Sequence, residues 1–434
     1  MGCDILHLTY SSMGRDVDIC EPILSYLELK YGVSVKRACM RDYAECLYQL
    51  RPKLLLTETK GSDTDVNAVR FAKALGIKVV NVTGEGDYVP GKADIFFWGW
   101  NKPEFAQPDM ELLWSDRSRR IIFDELPETN NDKYNIKVSG GTGFDRYKFL
   151  PFMQKDKFLE KYHLTDYKKV VGFASWGFDV YDYRGDFAFH KEAGLKLNSV
   201  LKELIENNSD ILFVLKFHPA SQDEMRTEFA GLRGYSNVMM LAFEENVSDL
   251  INIADLWMGY ETTTCLEAWL LGKTTLLINP SGGEFERSII ADGSPIFKTA
   301  SEVQNAIDEY YKCGFIKAFE ELNTNRSDII INVIENDDGM NHVRAGEMVF
   351  DLLENTRENG QRDGFNWRYK LCIRTVQKLI YNMVGQNHII GKKYFPLYSF
   401  FHDRYNDEER EMQHKKYYEN LVRFYKQNGV VLNK

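Results

Sequence analysis

The sequence predicts an α/β protein with two doubly wound parallel sheets and a C-terminal helical tail. Short runs rich in Val, Ile and Leu alternate with longer amphipathic stretches, this series occurs twice, and a basic aromatic segment follows it. Such alternation is typical of βαβ units whose parallel sheet is buried on both faces. A chain of 434 residues is long enough for two or three domains.

We expect three segments: an N-terminal domain over 1–150, a second domain over 151–360 and a tail over 361–434. The predicted strands are Ile5–Thr9, Leu54–Thr57, Lys78–Val82, Ile95–Trp98 and Ile136–Val138, then Val170–Ala174, Ile211–Phe217, Val238–Leu241, Leu256–Gly259 and Thr274–Ile278. The main predicted helices are Asp16–Leu29, Val66–Leu75, His190–Glu206, Val247–Ile253, Thr263–Leu271 and Ser301–Tyr311. Both domains would be Rossmann-like and would face a cleft, with ligands at the carboxyl ends of the strands.

Charge, hydrophobicity and cysteine content argue against several classes of protein. The net charge of −10 argues against general nucleic-acid binding. No secretory signal and no apolar run of membrane-spanning length is visible, and the seven cysteines contain no CxxC pair. We therefore expect a cytoplasmic protein with reduced thiols, without a disulfide framework or a zinc site.

The segment Ile211–Pro219, ILFVLKFHP, carries the first chemical signal. A buried strand leads into Lys216 and His218, which are two residues apart and would project to the same side of an extended chain. A cation and an imidazole at this edge can bind a phosphate ester and stabilise it as it leaves, while Pro219 ends the ladder. The alternative is a histidine that only caps a strand end.

A strand-to-helix turn carries the second signal. Thr262, Thr263 and Thr264 lie between the strand ending at Gly259 and the next helix, so one would cap the helix and the others would face an anion. Glu267 in the first helical turn is placed to reach ribose hydroxyls. The alternative is an ordinary Thr cap with Glu267 near the helix dipole.

Two glycine-bordered loops complete the candidate site. Glu85 lies between Gly84 and Gly86 after a strand, where a carboxylate can take a proton from an acceptor hydroxyl. Ser175, Trp176 and Gly177 follow another strand and can approach phosphate or sugar. Each loop has the alternative of being a simple exposed turn.

The combination of Lys216–Pro219, Val247–Asp255 and Tyr260–Lys273 resembles the donor-binding half of bacterial surface-carbohydrate GT-B glycosyltransferases. It is similar to capsule Kdo transferases, bacterial sialyltransferases and CDP-glycerol glycerophosphotransferases. The resemblance implies that Glu85 is the general base and that His218 and Pro219 contact the donor phosphate. It also implies that the three threonines bind phosphate and that Glu267 binds the ribose.

The resemblance implies an inverting transfer, without metal or other cofactor, from a nucleotide sugar to a glycan or lipid-linked glycan acceptor. It favours a cytidine nucleotide, with CMP as the donor's carrier, and a product in capsule, lipopolysaccharide or O-antigen. Three other readings stay open: a UDP-sugar 2-epimerase, a transferase of polyol phosphate from CDP-glycerol, and a non-catalytic carbohydrate or nucleotide binder.

The C-terminal tail differs from the rest of the chain in its charge and its aromatic content. Residues 361–434 contain 14 Lys/Arg against 7 Asp/Glu, and residues 364–402 hold nine aromatic residues and no acid. On a helix, Lys370, Arg374 and Lys378 share one face. The opposite face would hold apolar residues: Tyr369, Ile373, Val376, Ile380, Met383 and Val384. This pattern suits attachment to the inner face of the plasma membrane or, alternatively, packing against the first domain.

Overall fold

The computed structural model describes residues 2–58, 60–131, 133–178, 188–219, 221, 223–242, 244–281, 287–355, 365–384 and 404–432. These residues group into two compact units. The first unit combines Met1–Leu150 with Ile331–Lys434, and the second is Pro151–Ile330.

The first unit begins with six strands and five helices. The strands are β1 Ile5–Thr9, β2 Val35–Cys39, β3 Leu54–Thr57, β4 Lys78–Val82, β5 Met110–Leu113 and β6 Ile136–Val138. The helices are α1 Arg15–Tyr31, α2 Tyr43–Leu50, α3 Asp63–Ala74, α4 Ala93–Phe96 and α5 Asp116–Glu125. All strands are parallel, in the order β2-β1-β3-β4-β5-β6.

This sheet is buried on both faces, as continuous apolar strands predict. Leu6 and Leu8 of β1 pack into one core with α2 and α3. Ile5 packs on the opposite side with α1. Alternate side chains of one strand therefore supply two separate cores.

The second unit holds a second parallel sheet. Its strands are β7 Lys169–Ala174, β8 Ile211–Lys216, β9 Val238–Leu241, β10 Leu256–Gly259, β11 Thr274–Ile278 and β12 Ile296–Phe297, in the order β12-β11-β10-β7-β8-β9. Its helices are α6 Lys155–Lys161, α7 Ala188–Asn207, α8 Val247–Ile253, α9 Thr264–Leu270, α10 Ala300–Cys313, α11 Lys317–Glu320 and α12 Asn323–Ile334. The prediction of two Rossmann-like α/β domains with C-terminal helices is confirmed at the level of fold class.

The last part of the chain returns to the first unit. It forms α13 Asn341–Glu354, α14 Trp367–Val384 and α15 Asp407–Asn428. Ala345 and Val349 of α13 pack into the core formed with α1. The range 151–360 expected for the second domain therefore differs from this grouping at its C-terminal end, because the apolar face of α13 is buried against the first sheet.

A buried charged network, which we call the Glu21 network, attaches α15 to α1. The Glu21 carboxylate is fully buried and accepts hydrogen bonds from Arg37 Nη2 at 2.7 Å, Arg410 Nη2 at 2.5 Å and His414 Nδ1 at 2.8 Å. Burial alone would raise the pKa of Glu21, but Arg37 and Arg410 hold it well below its usual value. Removal of one partner would leave another charge buried without compensation.

One predicted strand is wrong. Ile95–Trp98 lies in α4 and the turn after it, and the strand beside β4 is Met110–Leu113. Only Phe97 of this apolar run is deeply buried, whereas Ile95 and Trp98 are exposed. A short apolar run does not distinguish a strand from a helical turn by periodicity alone.

No helix among the described residues combines the length and the hydrophobicity needed to cross a bilayer.

We predict that Glu21→Gln lowers the free energy of unfolding of the first unit by about 3 kcal/mol, because Arg37 and Arg410 lose a buried counter-charge. The depressed pKa adds a pH dependence. A carboxylate with a lowered folded-state pKa stabilises above its unfolded pKa and loses this contribution as the pH falls through the folded value. The difference between wild type and variant should therefore shrink in acid, as measured by thermal unfolding at several pH values.

The matched control is Glu419→Gln on α15, the helix that the Glu21 network attaches to α1, since Glu419 is half exposed and pairs with Lys415. Its effect should stay within about 0.5 kcal/mol. An equal effect of the two substitutions would contradict a stabilising role of the Glu21 network.

Candidate functional site

The carboxyl edge of the second sheet brings three predicted segments together. β7 lies between β8 and β10, and the strand order reverses at β7 and β10. The crevice at such a switch point is where doubly wound sheets bind ligands. The loops after β7 and β10 border this crevice, and the loop after β8 lies one strand further, about 10 Å from the β10 loop.

The loop after β7 contacts the His218 segment directly. The Ser175 N–H donates to Lys216 O at 2.9 Å, and Ser175 Oγ accepts from the Gly177 N–H at 3.1 Å. Gly177 has a φ of +83°, and a Cβ there would lie 2.9 Å from Cγ of His218. Only glycine lets this loop approach the imidazole so closely. His218 is half-buried and Pro219 is exposed.

Lys216 is placed differently from the expectation. Its ammonium group donates to the carbonyl oxygens of Ala242 and Glu245, the latter at 3.0 Å. Burial lowers the pKa of Lys216 to about 8. The side chain thus holds the loop before α8 through two of its three N–H donors, and the phosphate contact expected of Lys216 stays a prediction.

The threonine turn forms at the start of α9, but without the expected side-chain cap. Thr263 occupies the capping position and its hydroxyl caps no helical N–H. Instead, Thr262 Oγ1 accepts from the Thr264 N–H at 3.2 Å, and the Trp257 indole N–H donates to Thr264 Oγ1 at 2.8 Å. Within the described part of the chain, the N–H groups of Thr262 and Thr263 donate to no backbone carbonyl. The turn therefore presents amide and hydroxyl donors at the sheet edge.

Glu267 lies in the first turn of α9, as predicted, but it is only 7% exposed. Its carboxylate is therefore largely enclosed by protein, and contact with a ribose needs one of its oxygens to reach the surface. The ribose contact expected of Glu267 stays a prediction.

Sequence reasoning named Trp176 as a site residue but missed an aromatic residue and a cation beside the turn, Tyr260 and Arg287. The ring of Trp176 meets the ring of Tyr260 edge to face at 5.9 Å, which links the loops after β7 and β10. Arg287 donates from Nη1 to Tyr260 O at 2.8 Å, and its guanidinium lies 5.2 Å from the centre of the Tyr260 ring. Trp176 and Tyr260 are far apart in sequence. Their contact follows from the pairing of β7 with β10, which the sequence alone does not give.

In the first unit, the loop after β4 places Glu85 at the carboxyl edge of that sheet. The Glu85 side chain is 22% exposed, and its Oε1 lies 2.5 Å from Arg15 Nη2 at the start of α1. The loop is tightly held, since a Cβ on Gly86 would lie 2.2 Å from the Trp114 ring. The Trp114 indole N–H donates to Thr83 O at 2.7 Å. Glu85 therefore sits on a fixed loop, not on a loose exposed turn.

A second carboxyl group, Glu58, was missed. It directly follows β3, next to the point where the strand order of the first sheet reverses at β1 and β3. Glu58 is 2% exposed, and burial raises its pKa well above the usual value. His7 Nε2 lies 3.5 Å from Glu58 Oε2. A carboxylate immediately after a buried strand was the signal that could have found it.

Two groups of described side chains have ligand atoms close enough for a metal ion: His7, Cys20 and Glu58, and Glu21, Glu28 and His414. In the second group, Arg37 and Arg410 already occupy the carboxylates. In the first, Nη2 of Arg410 lies 3.4 Å from His7 Nδ1, and a guanidinium nitrogen can only donate to that atom, not accept from it. A metal-bound Nε2 needs a proton on Nδ1, so this guanidinium opposes it. Neither group fits a metal ion well.

No protein-family model and no curated protein sequence matches the chain. Similarity is found among solved structures. A putative UDP-N-acetylglucosamine 2-epimerase from Listeria monocytogenes matches with a TM-score of 0.52 at 13% identity, covering 82% of this chain and 98% of that chain. S. aureus MnaA in a structure with UDP matches with a TM-score of 0.52 at 13% identity, covering 81% and 96%.

A variant of the wall teichoic acid polymerase TagF soaked with CDPG matches with a TM-score of 0.54 at 14% identity, covering 81% of this chain and 89% of that chain. None of these three structures is a capsule Kdo transferase or a sialyltransferase, so that part of the resemblance stays a prediction. At such low identity the similarity establishes the fold alone: two Rossmann-like domains of the GT-B type.

Proposed function

We propose that the chain is a GT-B glycosyltransferase that moves a sugar from a nucleotide donor to a growing bacterial surface glycan. The observation that carries this proposal is the convergence of His218, the Trp176–Gly177 loop and the threonine turn at the switch point of the second sheet. These groups supply an imidazole, amide and hydroxyl donors and an aromatic surface. Amide and hydroxyl donors and an imidazole can bind the phosphates of a nucleotide, and an aromatic surface can bind its base.

The donor phosphate is assigned to the Thr262–Thr264 turn and His218, with the cation of Arg287 beside the turn. A helix start and a guanidinium both stabilise negative charge that develops on a leaving phosphate. Such stabilisation does not require a metal ion, and we propose a metal-independent transfer without other cofactor.

Glu85 is assigned as the general base. It would remove the proton of an acceptor hydroxyl while that oxygen forms a bond to the anomeric carbon. The bond from this carbon to the phosphate oxygen breaks, and the nucleotide leaves with the electron pair. Displacement in one step inverts the anomeric configuration. Glu85 is preferred to Glu58 because it is more exposed and can reach a substrate.

The finer assignments rest on the sequence resemblance. They are a cytidine nucleotide, with CMP as the donor's carrier, a glycan or lipid-linked glycan of capsule, lipopolysaccharide or O-antigen as acceptor, and a cytoplasmic location at the inner face of the plasma membrane.

Two other reactions have specific support. Two of the similar structures are described as a UDP-N-acetylglucosamine 2-epimerase and a protein with bound UDP. The third, soaked with CDPG, favours polyol-phosphate transfer. An epimerase needs no acceptor, and a polyol-phosphate transferase delivers the donor's phosphate into the product.

The reactions are distinguished with donors labelled at the phosphate nearest the transferred group. A glycosyltransferase leaves this label in the released nucleotide and forms a product of inverted configuration. Label found in the product would replace this proposal with polyol-phosphate transfer. Conversion of UDP-N-acetylglucosamine without acceptor would replace it with epimerisation.

We predict that Thr263→Val weakens binding of the nucleotide product about tenfold, because an isosteric apolar group removes one hydrogen bond to phosphate. Isothermal titration with CMP, CDP and UDP measures the change. The control is Thr274→Val. Thr274 is the first residue of β11 and therefore lies at the amino edge of the sheet, opposite the proposed donor site. Equal affinities in Thr263→Val and wild type would remove the threonine turn from the donor site.

We predict that Glu85→Gln lowers kcat by about 10²- to 10⁴-fold while nucleotide affinity is unchanged, because only proton removal is lost. Glu104→Gln is the control, since Glu104 is an exposed residue of the same unit that pairs with Lys133. Glu58→Gln should reduce kcat less than tenfold. A large loss in Glu58→Gln with an active Glu85→Gln enzyme would transfer the role of base to Glu58.

A further inference from the structure

Helix α14 packs on the first unit through its basic face. Trp367 stacks on Tyr48 with ring centres 5.7 Å apart, and the guanidinium of Arg374 lies 5.6 Å from the centre of the Tyr43 ring. The ammonium group of Lys378 lies 2.6 Å from Glu45 Oε2 and 3.0 Å from Asp42 Oδ1. These contacts fix the rotation of the helix about its own axis.

This rotation directs the apolar face of α14 to solvent. Five large apolar residues on that face are between 38% and 74% exposed: Tyr369, Val376, Leu379, Ile380 and Met383. Their spacing of three, four and seven residues places them on one stripe of the helix. An ordinary surface helix has the opposite arrangement, with its apolar face inward and its cations outward.

The sequence around α14 indicates what covers this stripe. Residues 364–402 contain no Asp or Glu, although the whole chain has a net charge of −10, and they contain six Lys/Arg. Arg374 and Lys378 face the first unit, whereas Arg368 is exposed on α14. The 19 residues 385–403 that follow the helix include two lysines, Lys392 and Lys393, and five aromatic residues, and they lie outside the described residues. A stripe of apolar side chains next to a basic, aromatic sequence is complementary to an anionic lipid surface.

We propose that the exposed stripe of α14 is a docking surface for an anionic phospholipid bilayer, with the helix lying in the plane of the interface. The ion pairs of Lys378 hold the stripe outward, so the surface exists before lipid is met. The inference gives the proposed inner-membrane location a physical basis, but it does not depend on the reaction that the protein catalyses.

The test is co-sedimentation of the full chain with vesicles of phosphatidylglycerol and phosphatidylcholine in equal parts, and with phosphatidylcholine alone. We expect binding to the anionic vesicles, weaker binding to the neutral ones, and a loss of at least about tenfold in the double variant Leu379→Asp, Met383→Asp. The control double variant Leu195→Asp, Met412→Asp changes two residues of similar exposure on other helices and should bind like wild type.

Circular dichroism verifies that both double variants are folded. Wild-type protein that stays in the supernatant with anionic vesicles would overturn the proposal, and so would equal binding of the two double variants. Sedimentation velocity tests a second copy of the chain as the occupant. A dimer that the α14 substitutions dissociate, without any vesicle binding, would replace the lipid surface by that copy.

Discussion

The polar chemistry of this protein is concentrated at the carboxyl edges of two parallel sheets, because the strands themselves are buried on both faces. Most side chains of β1 and β8 pack into apolar cores, and His7, inside β1, is an exception that meets Glu58 and Arg410. A charged or hydroxylated residue therefore finds water, a ligand or a loop partner mainly where a strand ends. His218, Thr262 and Glu85 all follow strand ends, and this constraint explains why short sequence segments already indicated them.

The return of the C-terminal segment depends on a different interaction, the buried Glu21 network. Arg410 and His414 contribute to it from α15, almost 400 residues after Glu21. Tyr417 of the same helix donates to the buried Asp18 at 2.5 Å. Bringing together residues so distant in sequence costs chain entropy. The charge-assisted hydrogen bonds of the Glu21 network, all on one part of α1, offset this cost. The same segment then positions α14 on the outside of α2, which exposes the apolar stripe.

The candidate donor site is defined by contacts between loops, not by any one motif. Gly177 allows close approach to His218, and the rings of Trp176 and Tyr260 connect the loop after β7 with the loop after β10. Lys216, the most obvious cation of the region, is instead bonded to loop carbonyls. Arg287, which had no recognisable motif around it, is the cation that lies beside the threonine turn. A cation's distance along the chain from a motif is thus a poor guide to its distance in space.

The sequence by itself determined the two α/β sheets, most of their strands and the turns that follow β4, β7, β8 and β10, because the apolar runs and glycine or threonine turns are local properties. It did not predict β2 or β5 or exclude Ile95–Trp98, since short segments take their structure from their neighbours in the sheet. Only the tertiary structure decided that Lys216 braces a loop, that Glu58 is buried beside His7 and that two cations of α14 face inward. Each of these three side-chain positions depends on a partner that is remote in sequence. A local sequence pattern does not identify that partner.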